Sequence, residues 1–154
     1  MHQILLTLHS INRWLVLISL LYSIFLSVKG LVGHSPFRKS DNLVRHITAT
    51  IAHIQLLIGL YLYTMSPIVK FASVLPSVDG VMDEHIFFRY VHILSMVLAV
   101  VVLTIGSAKT KRMGTDRLKF RTMMIWYTIS LLIILIAIPW PFSPLANRPM
   151  FRTF

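Results

Sequence analysis

Residues 4–28 read ILLTLHSINRWLVLISLLYSIFLSV, and two properties of this stretch set the fold. It is long enough to cross the hydrocarbon core of a bilayer, which takes about 20 residues of helix. It also carries His9, Asn12 and Arg13 within its first turns, where polar groups are costly unless they face other helices. Three further stretches share the same apolar length, giving four predicted spans at about 3–28, 46–64, 86–108 and 122–140. The 154-residue chain is 56% hydrophobic, only 13% charged and has a mean hydropathy of +0.74, outside the range of soluble domains. These features predict a single all-α domain over residues 1–154, an integral membrane four-helix up-down bundle.

Between the spans lie segments rich in glycine, proline, serine and charge, such as KGLVGHSPFRKSDN (29–42) and KTKRMGTDRLKF (109–120). The net charge of +10 raises the question of a nucleic-acid partner, and the placement of the basic residues answers it. Lys29, Arg38, Lys39 and Arg45 flank the first connection, and Lys109, Lys111, Arg112, Arg117, Lys119 and Arg121 the third. The second connection holds Asp79, Asp83 and Glu84 against Lys70. By the positive-inside rule the first and third connections face the cytoplasm, so both termini are expected outside. Basic charge in this pattern is a topology signal, and no nucleic-acid partner is expected. MHQILLTLHS lacks a basic leader and a small-residue cleavage site, so the first helix is expected to be retained. The apolar stretch SPIVKFASVLPSVDG (66–80) is expected to lie along the outer interface, broken at Pro76. With no cysteine, the chain has no disulfide, iron–sulfur, thiolate-metal or covalent haem chemistry.

The histidines carry the functional signal. Of seven, His9, His46, His53 and His92 fall inside predicted spans; His2 is terminal, His34 is in a loop and His85 is at the outer rim. His46 and His53 are seven residues apart and share a helix face, as do His9 with Arg13, and His85 with Arg89 and His92. His9 and His92 each lie about six residues, or roughly 9 Å, below the outer boundary on helices that are diagonal neighbours. His53 lies deeper, at roughly 16 Å, and is a second possible partner for His92. Two neutral imidazoles facing each other across such a gap suit a haem b, with a closed six-coordinate iron of the electron-transfer kind. Arg13 and Arg89, each a turn from a histidine, are candidates to hold the haem propionates. Ser95 and Ala99 follow His92 at helical spacing and would leave room for the ring. The fourth helix, with only hydroxyls and aromatics, is expected to serve packing, as are Trp14, Trp126 and Trp140 at the interfaces.

With LHSINRW (8–14), VRHITATIAHIQLLIGL (44–60) and RYVHILSMVLA (89–99), the chain resembles the small bacterial four-helix membrane cytochrome b-like proteins. That resemblance implies non-covalent haem b ligated by histidines of different helices, here His9, His53 and His92, with Arg13 and Arg89 near the propionates. It implies residence in the bacterial inner membrane and electron exchange with a quinone or partner redox protein, alone, as a homo-oligomer or as a subunit of an oxidoreductase. His46 has only the loop residue His34 as a partner at the cytoplasmic side, so one haem is expected and not two. Two other classes fit the same residues: a haem-free membrane anchor or assembly subunit, and a membrane metal site or transporter built on the three histidines directly.

Overall fold

The computed structural model describes residues 2–66, 69 and 84–143. Its elements are α1 (His2–Val32), α2 (Lys39–Met65), α3 (Glu84–Ile86), a π-helical segment π1 (Phe87–His92), α4 (Ile93–Arg112) and α5 (Asp116–Ala137). The rod α3–π1–α4 is the third span. Four helices are long and apolar enough to cross a membrane. The chain is therefore an integral membrane four-helix bundle. The expected interfacial segment around Pro76 falls outside the described residues.

The helices form a ring in which α1 packs on α2 and α5, and α4 on α2 and α5, so α1 and the third span are diagonal. Pairings such as Ser23 with Thr48, Trp14 with Trp140, and Ser130 with Ala99 run in opposite chain directions, giving the expected up-down order. Bounds differ from the sequence expectation where polar residues start or stop a helix. α2 begins at Lys39 and not near His46, because the Arg38 amide donates to Asp41 Oδ2 at 2.8 Å and draws the polar KSDNLVR turn into the helix. α5 begins at Asp116, with Thr115 Oγ1 accepting from the Leu118 amide at 3.3 Å. It ends at Ala137 instead of Trp140, since Ile138 precedes a proline and takes the extended φ −74°, ψ 130° such a position favours.

The outer surface is apolar, as with Ile18, Phe25, Leu57, Leu94 and Ile136, and the interior holds small and hydroxylated residues. Without water in the hydrocarbon, interhelical hydrogen bonds and close backbone approach hold such a bundle together. Ser23 and Thr48 hydroxyls meet at 2.9 Å, and Ser130 donates to the Ala99 carbonyl at 2.9 Å. Near the basic connections, buried Arg45 donates to the Ser107 carbonyl at 3.0 Å, to the Ser107 hydroxyl and to Asn42 Oδ1, while Tyr127 donates to the Arg45 carbonyl at 2.7 Å. This knot joins α2, α4 and α5.

Glycine sets the closest contact. A Cβ on Gly106 would lie 2.2 Å from Trp126 Cβ, whereas one on Gly114 would meet nothing within 4 Å. Gly106→Ala is expected to cost about 1–3 kcal/mol by overpacking, and Gly114→Ala less than about 0.5 kcal/mol. Thermal unfolding of both variants in detergent checks this; equal melting points would contradict the packing described.

Candidate functional site

At the end of the bundle where α1 begins and α5 stops, a cavity of about 270 Å³ opens between the helices, and His9, Arg13, Gln55, Gly59, Tyr63 and His92 line it. Its other walls are apolar, with Phe88, Met96, Val100 and Ile134 among them. Beyond His92 the third span lines the cavity with Ile93, Met96 and Val100, and not with Ser95 and Ala99, which were expected there. No Asp or Glu lines it among the described residues. The polar equipment is basic, amide and hydroxyl, without a carboxylate among the described residues, an arrangement suited to a ligand with an anionic edge.

His9 reaches the cavity from α1. It lies against the backbone of α2 at Gly59, where an added Cβ would come within 3.1 Å of His9 Cε1. Next to it, Gln55 donates to the His9 carbonyl at 2.9 Å and accepts from Asn12 Nδ2 at 3.0 Å, fixing α1 to α2 at the height of the imidazole. Asn12 thus serves the helix contact. The ring itself is held by packing: His9 Nδ1 is buried with no hydrogen-bond partner among the described residues. A buried donor or acceptor left in this state costs about 1–3 kcal/mol. Arg13, one turn further on, has its guanidinium carbon 5.4 Å and 5.9 Å from the ring centroids of Trp14 and Trp140. Those two indoles meet edge to face at 6.2 Å.

His92 arrives from the diagonal helix and is the last residue of π1. The FFRYVH segment was expected to be ordinary α-helix; instead its turns are widened, a feature frequent at functional sites. Phe87 and Phe88 flank the imidazole, each with its ring centroid 5.8 Å away. His92 Nδ1 lies 2.9 Å from the Ala137 carbonyl oxygen. A carbonyl only accepts, so Nδ1 carries the proton and Nε2 is the basic nitrogen. His9, Arg13 and His92 all line the same cavity.

The remaining sequence candidates are elsewhere. His53 is exposed on the outer face, its Nδ1 2.6 Å from the Ala49 carbonyl and its Nε2 3.1 Å from Thr104 Oγ1. The reason is helical geometry. Gln55 and Gly59 face the cavity, and a residue two before Gln55 is rotated about 200° away. His46 shares that outward face, as its spacing from His53 requires. Arg89 is off the cavity wall, its guanidinium 5.6 Å from the Tyr90 ring centroid, while its carbonyl accepts from the Tyr63 hydroxyl at 3.3 Å. The three histidines therefore do not assemble, and the described residues contain no cluster of three metal-ligating side chains.

Four cavity residues escaped the sequence reading: His2, Gln55, Gly59 and Tyr63. His2 had a usable signal, since it sits seven residues before His9 on the same face. Its Nδ1 is also buried and without a partner among the described residues. Gln55 is the sole carboxamide in an apolar run, and Gly59 is one turn beyond it. Comparison of the chain with protein-family models, with curated proteins and with solved structures finds no match. The site therefore stands on its own chemistry, that of a histidine-lined cavity at one end of a membrane bundle.

Gln55→Leu leaves Asn12 only its long bond to the Ile51 carbonyl at 3.5 Å, and the His9 carbonyl without the Gln55 donor, and is expected to destabilise the protein by about 1–3 kcal/mol. Asn12→Leu/Gln55→Leu removes both polar groups and should recover part of that loss in a thermal melt. A double variant worse than the sum of the singles would contradict the clamp.

Proposed function

We propose that this protein is a membrane b-type haem protein for electron transfer, with His9 and His92 as axial ligands of one haem and Arg13 at a propionate. The observation that carries the reading is the meeting of two imidazoles, from diagonal helices, on one apolar cavity that also holds an arginine and no carboxylate among the described residues. The residues fit the group. His9 Nδ1 is an orphaned buried atom and Gly59 leaves the space its ring occupies. His92 already spends its Nδ1–H on the Ala137 carbonyl, the bond that the other ring nitrogen of a ligating histidine almost always makes. When bound, a bis-imidazole haem supplies a one-electron couple with no open coordination position. The protein's own residues do the rest. The clamp between Asn12, Gln55 and the His9 carbonyl fixes the height of one ligand, π1 and Ala137 fix the other, and the apolar walls exclude water. Arg13 keeps its charge in low dielectric and can take a carboxylate through two parallel hydrogen bonds. His53 and Arg89, off the cavity wall, are not part of this ligand set.

Our reading also places the termini and the cavity on the outer side, following the ten basic residues near the first and third connections. The membrane is the bacterial cytoplasmic one, and electrons pass to or from a quinone, a partner redox protein or another copy of the chain. A haem-free packing subunit is the second reading, favoured by the Asn12–Gln55 clamp, which uses buried polar groups for helix contact alone.

Pyridine extraction of the detergent-purified protein, expressed with ample haem, should give about one haem per chain. His9→Ala and His92→Ala should lose at least half of it, while His53→Ala and His46→Ala retain it. No haem in the wild type would falsify this reading and favour the packing subunit. Loss in His53→Ala with retention in His9→Ala would move the ligand to α2. A reporter fused after Phe154 should be active only outside the cytoplasm, and activity inside would reverse the orientation.

A further inference from the structure

Residues 138–142 read IPWPF, and the alternation of proline here matches a pattern of carbonyls at the end of α5. In an α-helix each carbonyl accepts from the amide four residues on. The amide for Leu135 would belong to residue 139 and that for Ala137 to residue 141. Both are prolines, which have no N–H. Both carbonyls are nonetheless satisfied, by side chains: Trp140 Nε1–H donates to Leu135 at 2.9 Å, and His92 Nδ1–H to Ala137 at 2.9 Å. The amide between the prolines, that of Trp140, turns away to the Ile138 carbonyl at 2.9 Å.

We propose that Pro139 and Pro141 are positioning residues for the cavity. They remove the two backbone donors that would compete for these carbonyls, and so commit the Ala137 oxygen to His92. One proline suffices to stop a helix. Pro139 turns the chain out of the helix at Ile138, and Pro141 carries no N–H that could claim Ala137 should the helix run on. The consequence at the imidazole is chemical. The proton is fixed on Nδ1 and the ring orientation is set. The negative end of the α5 dipole faces the N–H, and Nε2 becomes the stronger electron donor. The inference rests on the haem reading only for what Nε2 meets in the cavity.

The test is ¹⁵N NMR of protein labelled at histidine, in micelles and without haem, with the His92 signals assigned by their loss in His92→Ala. The wild type should show His92 in one neutral tautomer, with the proton on Nδ1. Pro139→Ala/Pro141→Ala, which lets the helix run on and restores both competing donors, should make the Nε2–H tautomer detectable. If the double variant does not fold, the wild-type tautomer decides. A wild-type proton on Nε2, or an unchanged tautomer ratio in the folded double variant, would overturn the proposal. In haem-loaded protein the double variant should also shift the midpoint potential upward, because a weaker hydrogen bond from Nδ1 makes His92 a poorer donor to ferric iron; an unshifted potential would count against it. Failure to bind haem leaves the tautomer order standing and removes only the haem reading.

Discussion

Hydrocarbon offers no hydrogen-bonding partner, so every polar group among these helices must be answered inside the bundle. That constraint divides the molecule into two ends. At the basic connections it is met in full: Arg45 is joined to Ser107 and Asn42, Tyr127 to the Arg45 carbonyl, and Ser23 to Thr48. At the opposite end the helices separate around a cavity, and the Nδ1 atoms of His2 and His9 are buried without partners among the described residues. A bundle able to satisfy a buried guanidinium at one end has the means to satisfy an imidazole at the other. The unanswered imidazole is what supports the proposed binding site.

The two imidazoles are held by different means. His9 comes from regular helix and is fixed indirectly, through its own carbonyl, Gln55 and the missing side chain at Gly59. His92 comes from a widened turn and is fixed directly, through Nδ1, by the end of a neighbouring helix. One imidazole is thus set by packing and the other by a hydrogen bond. The tied imidazole has a defined tautomer, and the untied one is freer to adjust to what enters the cavity.

The bundle was legible in the sequence because length and hydropathy alone decide whether a helix can span a membrane, and short basic connections force neighbouring helices to be antiparallel. That His9 and His92 reach one cavity was legible from depth, since diagonal helices running the same way bring equal offsets to equal heights. Facing was harder to read. His53 looked equivalent to His9 in composition, and only the cavity face defined by Gln55 and Gly59 shows that it points outward. The same uncertainty of rotation affected Arg89, whose segment is π-helical; the wider turn changes which residues share a face, and no sequence periodicity announces it. Helix four was read as packing because its side chains are apolar. It does supply an apolar wall at Ile134, but its polar contribution to the site is a backbone carbonyl, which only the proline pattern betrays.

The central claim is that one haem sits between His9 and His92. Low-temperature electron paramagnetic resonance of the oxidised wild-type protein tests it most directly, because the ligand field reports both axial atoms at once. The account predicts a low-spin ferric signal of bis-imidazole type, replaced by a high-spin signal in His92→Ala. A high-spin ferric signal in the wild type, or no haem signal at all from haem-replete protein, would contradict it.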